Sequence, residues 1–261
     1  MYILVEPFLQ KADIFLLVFI RIISFLMIVP FFSGKNIPRQ TKIIFAFFLS
    51  ISAFWNVDST RNILSTSLIQ YSFIIFKEFL IGWILGFLVY IIFSVFYLAG
   101  QLIDFQIGFS MVSVFDPLSQ IQVPITGNLY YLISIVILVI LDAHHYLIKA
   151  LVYSFNLLPI GETYINISIY QQFIDVITEI FILSIKIASP IIATIFIINI
   201  ALGILVRVVP QMNMFVVGVP IKIVVGILVL IVFNPVLSNV IDYVINLMNE
   251  LIFNLIRGMA P

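Results

Sequence analysis

Two acids, Asp104 and Asp116, are the nearest approach to a catalytic pair in this sequence. Paired carboxylates can share general acid and general base roles, as an intramembrane protease of that kind requires. Both acids lie in or beside the segment Ala99–Pro124, which Gly108 and the Asp116-Pro117 pair punctuate with turn chemistry. The sequence also has no cysteine, no glycine-rich phosphate loop and no GxSxG elbow. We therefore expect the protein not to be an enzyme.

The only two histidines, His144 and His145, follow Asp142 closely and raise the question of a metal site. Imidazole and carboxylate groups are common zinc ligands, but a site needs several of them directed at one point. Adjacent positions on a helix point about 100° apart, so we expect the two rings not to hold one ion together. We interpret them as the interfacial end of a helix and predict neither a metal nor a cofactor.

The segment Ala99–Pro124 has an unusual composition for a break between apolar stretches. It has no Lys or Arg between Gly100 and Gly127, yet it carries large apolar side chains: Phe105, Phe109, Met111 and Phe115. Mobile backbone with bulky apolar tips suits a closable constriction that excludes water. From the residues alone, a gate and an ordinary buried loop remain equally open interpretations. We take this segment as the predicted functional centre.

The composition predicts a membrane protein. Of 261 residues, 63% are hydrophobic and only 9% are charged, against about 25% charged in a typical soluble domain. Lys plus Arg equals Asp plus Glu at 12 each, so no basic surplus points to nucleic acid. No Ser/Gly-rich linker divides the chain, and we predict a single membrane domain over residues 1–261.

The hydropathy pattern predicts an all-α fold of membrane-type helical hairpins in which several helices are broken. One long helix carries Gly82 and Gly86 four apart, a smooth stripe where another helix can approach closely. Proline inside a helix usually kinks or breaks it, so we expect a break at Pro190 and a hairpin or break at Asn234-Pro235. The predicted apolar elements are Ile14–Phe32, Ile43–Trp55 (re-entrant or shallow), Ser72–Leu98, Leu129–Leu141, Phe173–Val206, Val216–Phe233 and Val236–Phe253.

Six of the charged residues inside these apolar stretches are candidates for a function within the membrane, where each costs about 2.5–3.5 kcal/mol on insertion scales. They can form a proton or ion relay, or they can pair with another subunit. Their spacing offers no favoured i,i+4 pair, and the irregular helices indicate partners, so we favour subunit contacts. The six residues are Arg21, Lys77, Glu78, Asp175, Glu179 and Lys186.

Two motifs are more specific than these general features. The first runs from Gly108-Phe109-Ser110-Met111 to Phe115-Asp116-Pro117, and the second is RVVPQMNMF at residues 207–215, continued by VGVPIK at 217–222. Together they resemble the FliR family of the flagellar type III export gate, and the resemblance extends over essentially the whole chain in length and hydropathy order.

The resemblance implies a non-enzymatic subunit of a helical ring assembly around a pore that passes unfolded flagellar proteins. It implies no catalytic residue and no cofactor. The first motif would project into the pore as a plug, with Phe109, Met111 and Phe115 as its apolar tips. The full set of implied plug residues is Gly108, Phe109, Ser110, Met111, Phe115, Asp116 and Pro117.

The second motif would form the turn of a helical hairpin that packs against neighbouring subunits. The implied partners are FliP-like and FliQ-like subunits in the ring, with FlhA-like and FlhB-like export proteins, in the bacterial inner membrane at the flagellar basal body. The implied packing residues are Arg207, Pro210, Gln211, Asn213, Phe215, Gly218, Pro220 and Lys222.

Other functions remain open at this point. An injectisome export subunit shares the Pro-Gln-x-Asn-x-Phe core of the second motif, so it is the nearest alternative. A secondary transporter for a small solute is less favoured, although helices broken at Pro190 and Pro235 are typical of its binding sites. A membrane enzyme that uses Asp104, Asp116 or His144 is a weaker third interpretation.

Overall fold

A computed structural model describes residues 12–34, 37–55, 67–109, 124–161, 168–211 and 213–260. Within these ranges the chain forms eight helices and no strand. The predicted all-α membrane fold is therefore confirmed. In chain order the helices are α1 (Ala12–Ile28), α2 (Pro30–Ser33), α3 (Arg39–Phe54), α4 (Leu68–Ile107), α5 (Ile125–Ile140), α6 (Ala143–Leu157), α7 (Ser168–Val208) and α8 (Met214–Gly258).

Three of these helices are long and apolar enough to cross a membrane: α4, α7 and α8. The pair α5 and α6 adds a fourth candidate if it is counted as one span, although it bends by 75° at its break. The bend falls at Asp142, which adopts φ +53°, and this is the broken helix of the fold. Helix α1 has 17 residues, fewer than the roughly 20 that a span needs.

The predicted breaks at Pro190 and Pro235 are wrong. Helix α7 runs through Pro190 over 41 residues, and α8 runs through both Pro220 and Pro235 over 45 residues. A proline removes one backbone hydrogen bond, and a membrane helix tolerates that loss where neighbouring groups such as Ser or Thr side chains donate to the freed carbonyl. In α7 the Ser189 hydroxyl donates to the Lys186 carbonyl oxygen at 2.8 Å, the acceptor that Pro190 leaves without its N–H partner. Continuous helices also remove the observation that suggested a solute transporter.

The functional segment begins later than predicted. Residues 99–107 belong to α4, which ends at Ile107 instead of near Leu98. Nothing between Ala99 and Ile107 breaks a helix strongly except Gly100, whose backbone lies in a close helix contact described below. The loop therefore starts at Gly108, and Asp104 is a helical residue.

The chain divides into two compact units. One comprises Met1–Ile91, Asp142–Val176 and Leu247–Pro261, and the other comprises Ile92–Leu141 and Ile177–Asn246. Helices α4, α7 and α8 each contribute to both units. The single domain over 1–261 stays a prediction.

In the first unit, α1 packs closely on α4 at the predicted glycine stripe. A Cβ atom added to Gly82 would overlap Ser24 Oγ and the Arg21 carbonyl, and one added to Gly86 would lie 3.0 Å from the Phe25 carbonyl oxygen. The expectation that Gly82 and Gly86 admit another helix is thus confirmed. Side chains on both sides of this contact, such as Phe25 and Leu85, are buried in the core.

The long helices differ greatly in how much the chain itself covers them. In an 18-residue stretch of high mean hydropathy in α4, 61% of the residues are buried, against 17% in the corresponding stretch of α7 and 11% in that of α8. Large apolar side chains such as Phe196, Ile204 and Val232 are more than half exposed. Helix α4 is therefore a core helix of the chain, whereas α7 and α8 present apolar surface outward.

Candidate functional site

The predicted plug loop leaves α4 at Gly108. The Gly108 N–H donates to the Asp104 carbonyl oxygen at 3.0 Å, and φ at Gly108 is +101°. A side chain is strained at such an angle, so glycine is the residue that lets the chain turn away here. Phe109 follows and is half-buried. The other predicted plug residues lie outside the described residues: Ser110, Met111, Phe115, Asp116 and Pro117.

The two ends of this loop are joined by a buried carboxylate. Asp104, on the last turn of α4, is 2% exposed, as is Thr126 at the start of α5. The Thr126 hydroxyl donates to Asp104 Oδ1, and the Thr126 N–H donates to Oδ2 at 3.0 Å and to Oδ1 at 3.2 Å.

The partner of Asp104 is a helix N-terminus, where the first N–H groups have no acceptor within the helix. Pro124 occupies the N-cap position and gives no side-chain cap. The carboxylate of Asp104 fills that role from another helix, and its negative charge also suits the positive end of the α5 dipole. Within the described part of the chain, no Lys or Arg forms an ion pair with it.

A glycine contact brings the same two elements together beside the carboxylate. A Cβ atom on Gly100 would overlap the backbone of Gly127 and lie 2.7 Å from the carbonyl carbon of Thr126. One on Gly127 would lie 2.9 Å from the Tyr97 carbonyl oxygen. Residues 100 and 104 share one face of α4. The same face therefore makes the backbone contact with α5 and caps its N-terminus with a carboxylate.

Sequence reasoning did not find this arrangement. It treated Asp104 as a candidate partner of Asp116, which lies outside the described residues, and it did not single out Thr126 or Gly127. The available signal was the spacing of Gly100 and Asp104, four residues apart on one helix face. Because both Asp104 oxygens accept hydrogen bonds from α5, the geometry indicates a structural carboxylate.

The second buried acid forms an ion pair within the chain. Arg21 Nε lies 2.6 Å from Glu78 Oε2, and both side chains are 0% exposed. Arg21 also donates to the carbonyl oxygens of Ser154 (3.2 Å) and Leu158 (3.0 Å), and the N–H of Gly161 donates to Glu78 Oε1. For Arg21 and Glu78 the predicted subunit contact is wrong, because the fold brings residues 57 positions apart together.

The other four of the six candidate charges are not buried. Asp175 and Lys186 are exposed, while Lys77 and Glu179 are partly exposed. Their predicted contacts with another subunit stay a prediction. Exposure on apolar helices agrees with that interpretation, since a charge in lipid is costly unless it is paired or hydrated.

The second motif covers the connection between α7 and α8 and the first residues of α8, so the turn predicted over residues 207–222 is too long, because residues 214–222 are helical. Helix α7 ends at Val208 and α8 begins at Met214, and the Asn213 carbonyl accepts the N–H of Val216 at 3.1 Å. The side chain of Phe215 lies outside the described part. Of the remaining predicted packing residues, Gly218 is buried and Lys222 is partly exposed, and the others are exposed: Arg207, Pro210, Gln211, Asn213 and Pro220.

The histidines lie nearer to each other than the helix geometry led us to expect. The rings of His144 and His145 are 4.1 Å apart, and with Asp142 they offer three ligand atoms within 4.8 Å of one another. Adjacent helix positions point about 100° apart, but rotation of the side chains brings the two rings together. The expectation that they do not hold one ion together stays a prediction. Asp142 and His145 are exposed, and such groups are common without an ion.

Comparison of the sequence with those of known proteins places this chain in a family. The family model described as "Bacterial export proteins, family 1" matches residues 12–248. The "Flagellar biosynthetic protein FliR" of Bacillus subtilis (strain 168) is 36% identical over 246 residues, which cover 93% of this chain and 94% of that protein.

More distant relatives extend the same similarity. The "Flagellar biosynthetic protein FliR" of Escherichia coli (strain K12) is 24% identical over 97% of this chain and 95% of its own length. The "Surface presentation of antigens protein SpaR" of Shigella flexneri is 24% identical over 84% of this chain and 85% of its own length. The three relatives match between 84% and 97% of this chain.

Proposed function

Because the chain belongs to the bacterial export proteins, family 1, and within it to the FliR family, we propose that it is a non-enzymatic subunit of the flagellar type III protein export gate. The observation that carries this proposal is the 36% identity over 93% of the chain to a flagellar biosynthetic protein. An all-α membrane fold agrees with it.

The loop after α4 is the proposed plug of the export pore. Its first residue, Gly108, turns the chain out of the helix, and the segment up to residue 123 contains no Lys or Arg. Apolar tips at Phe109, Met111 and Phe115 would close the pore to ions by excluding water. Gly108 and Ser110 would give the loop its flexibility, and Asp116 with Pro117 would give it its return.

The α7–α8 connection is the proposed contact with neighbouring subunits. The support is the exposed apolar surface of both helices, together with the exposed polar side chains of Arg207, Gln211 and Asn213 between them. Large exposed apolar surface needs either lipid or a protein partner. The proposed partners are FliP-like and FliQ-like subunits in a ring, with FlhA-like and FlhB-like proteins beside it.

The proposed location is the bacterial inner membrane, at the flagellar basal body, with residues 1–261 acting as one export-gate domain. The proposed cargo is unfolded flagellar protein. A second candidate function is an injectisome export subunit, and the similarity to SpaR of Shigella flexneri favours it. Co-purification from membranes, with the partners identified by mass spectrometry, distinguishes flagellar from injectisome assemblies.

The gate proposal is tested by measuring ion conductance of the assembled membrane complex. We expect a triple variant, Phe109→Gly, Met111→Gly and Phe115→Gly, to raise conductance while the complex still assembles, because the apolar seal is lost. The matched control replaces the same three residues with Leu, which keeps apolar tips of similar size, and should stay closed. Unchanged conductance in an assembled glycine variant would refute the plug role.

A further inference from the structure

We propose that the apolar cavity between α1, α2 and α3 is a binding site for an anionic phospholipid. Part of one acyl chain would lie in the cavity, and the phosphate would lie beside Lys42 and Arg39. The residues that carry this inference lie within residues 26–45, in the first compact unit. The inference depends on the membrane fold of the chain and not on the proposed export function.

The cavity has a volume of about 200 Å³. The rings of Phe32 and Phe45 stack with their centroids 5.5 Å apart, which holds α2 against α3 at this point. Sites for whole small molecules measure roughly 300–1,000 Å³, so this space fits a short stretch of a flexible apolar chain and not a complete solute. The apolar residues of the lining are Leu26, Phe31, Phe32, Ile37 and Phe45.

Two polar residues of α3 complete the lining, Thr41 and Lys42. Thr41 is exposed and Lys42 is partly exposed, so the polar part of the lining lies at the open side of the cavity. Lys42 Nζ donates to the Gly34 carbonyl oxygen at 3.3 Å, and an ammonium group has two further donors. Arg39 is exposed three residues earlier, on the same face of the helix. Both cations are therefore placed to meet a phosphate at this edge.

The positive charge at this edge has no nearby acid in the sequence. No Asp or Glu occurs from residue 14 to residue 57, and among the described residues neither Arg39 nor Lys42 forms an ion pair. Arg21, the buried cation of the same stretch, is paired with Glu78. Basic pockets between membrane helices bind anionic lipid head groups. The charge therefore favours an anionic lipid over a neutral one.

The remainder of α3 has the same order of polar and apolar parts as a lipid. The helix has 16 residues and begins at Arg39, and no charged residue follows Lys42 in it. Large apolar side chains further along it, such as Phe47 and Phe48, are exposed. A soluble anion would meet the two cations but would leave the apolar cavity unfilled, which is unfavourable. A phospholipid satisfies both parts of the site.

Native mass spectrometry measures lipid binding to the membrane complex that contains the full chain. The probes are phosphatidylglycerol and phosphatidylcholine with identical palmitoyl and oleoyl chains. We expect Arg39→Gln with Lys42→Gln to lower the affinity for phosphatidylglycerol about tenfold or more, because each basic residue near an anionic surface contributes about fivefold. Binding of phosphatidylcholine should not change. Unchanged binding of phosphatidylglycerol would overturn the proposal.

Two matched controls accompany the charge variant. Lys42→Arg keeps the positive charge and should bind phosphatidylglycerol as the unaltered chain does. Lys149→Gln removes an exposed cation that does not line the cavity and should also leave binding unchanged. An effect of Lys149→Gln as large as that of the double variant would show that only the net charge matters, and would overturn a specific site.

A reporter in the cavity separates this site from other lipid sites on the complex. The chain has no cysteine, so Thr41→Cys places a single thiol of this chain in the lining. We expect phosphatidylglycerol, but not phosphatidylcholine at the same concentration, to slow its labelling by a water-soluble maleimide severalfold. Glycerol 3-phosphate has the phosphate without the acyl chains and should not protect. Equal protection by glycerol 3-phosphate would show a site for a free phosphate and overturn the lipid.

Filling the cavity tests the acyl chain separately from the charges. Ile37→Trp adds volume to the lining and keeps both cations, and we expect it to lower the affinity for phosphatidylglycerol about tenfold. The melting temperature of the complex without added lipid shows whether the variant is folded, and Thr41→Trp, at the exposed side of the lining, is the second filling variant. Normal binding to a folded, filled variant would overturn the acyl-chain site. A Thr41→Cys thiol that stays unreactive without lipid would assign the cavity to a partner subunit instead.

Discussion

Helix α4 carries a glycine and a buried acid four residues apart near each of its ends. The two pairs differ in the groups that stabilise the carboxylate. Near its beginning, Glu78 and Gly82 lie four apart, and near its end, Gly100 and Asp104 lie four apart. In each pair the glycine allows a backbone contact and the acid is buried beside it. Glu78 is paired with the cation Arg21, whereas Asp104 bonds only hydroxyl and amide donors.

The difference follows from which part of the partner helix each acid meets. Glu78 meets the middle of α1, where backbone N–H groups already donate within the helix, so a buried carboxylate there needs a cation. Asp104 meets the start of α5, whose first N–H groups are free of internal acceptors. A helix N-terminus thus supplies hydrogen-bond donors and a positive potential to Asp104, as the Arg21 guanidinium does to Glu78, without a second charged side chain.

The largest effect is expected from the loss of Arg21. Arg21→Leu leaves Glu78 buried without its counter-ion and is expected to cost about 3–5 kcal/mol, seen as a large fall in the melting temperature and yield of the purified complex. Arg21→Leu combined with Glu78→Leu removes both charges and should recover most of the loss. A double variant no better than the single one would contradict a dominant role of the ion pair.

The same chemical change at the two acids sharpens the comparison. Glu78→Gln leaves the Arg21 charge buried and unpaired, so we expect a cost near that of losing Arg21. Asp104→Asn leaves no charge behind and should cost about 1–3 kcal/mol, the range for unsatisfied buried donors. Equal melting temperatures of the two variants would show that the two acids are not distinguished by their partners.

Alanine substitutions at Gly82 and Gly100 should lower the stability by an intermediate amount that is similar at the two positions. Gly82→Ala and Gly100→Ala each place a methyl group into backbone atoms of another helix, and overpacking of this kind costs about 1–3 kcal/mol. Melting temperature of the purified complex measures the effect. If either alanine variant were as stable as the unaltered protein, the helices could not be in backbone contact at that point.

The smallest effect is expected at Gly203, the matched control in α7. In the described part of the chain, an added methyl group there meets no atom within 4 Å beyond the backbone of its own helix turn, and alanine favours a helix by about 1 kcal/mol over glycine. Gly203→Ala should therefore leave the melting temperature unchanged or raise it slightly. A marked fall would place a partner subunit against this position.

The sequence predicted the elements better than their ends. The apolar runs predicted the membrane helices, and the spacing of Gly82 and Gly86 predicted a close helix contact. Both predictions succeeded because they depend on residues that are near one another in the sequence. The continuation of α4 to Ile107 and the intact helices at Pro190 and Pro235 were missed. In those cases the surroundings in space, and not local propensity, decide whether the helix continues.

The candidate site was only partly predictable. The motif at residues 108–117 predicted the loop as a functional segment. Gly108, the first residue of the loop, has a positive φ that glycine adopts more easily than other residues. The bonds that join its ends involve Asp104 and Thr126, which are 22 positions apart. No local pattern could pair them, just as none could pair Arg21 with Glu78.

Composition and periodicity by themselves determined that this chain is a helical membrane protein, because apolar length and low charge leave no soluble alternative. The two motifs determined its family. Only the tertiary structure decided which buried charges are compensated within the chain, because compensation depends on which side chain or helix end comes to lie within hydrogen-bond distance. That choice is made by packing across distant parts of the sequence, where the spacing of residues along the chain carries no information.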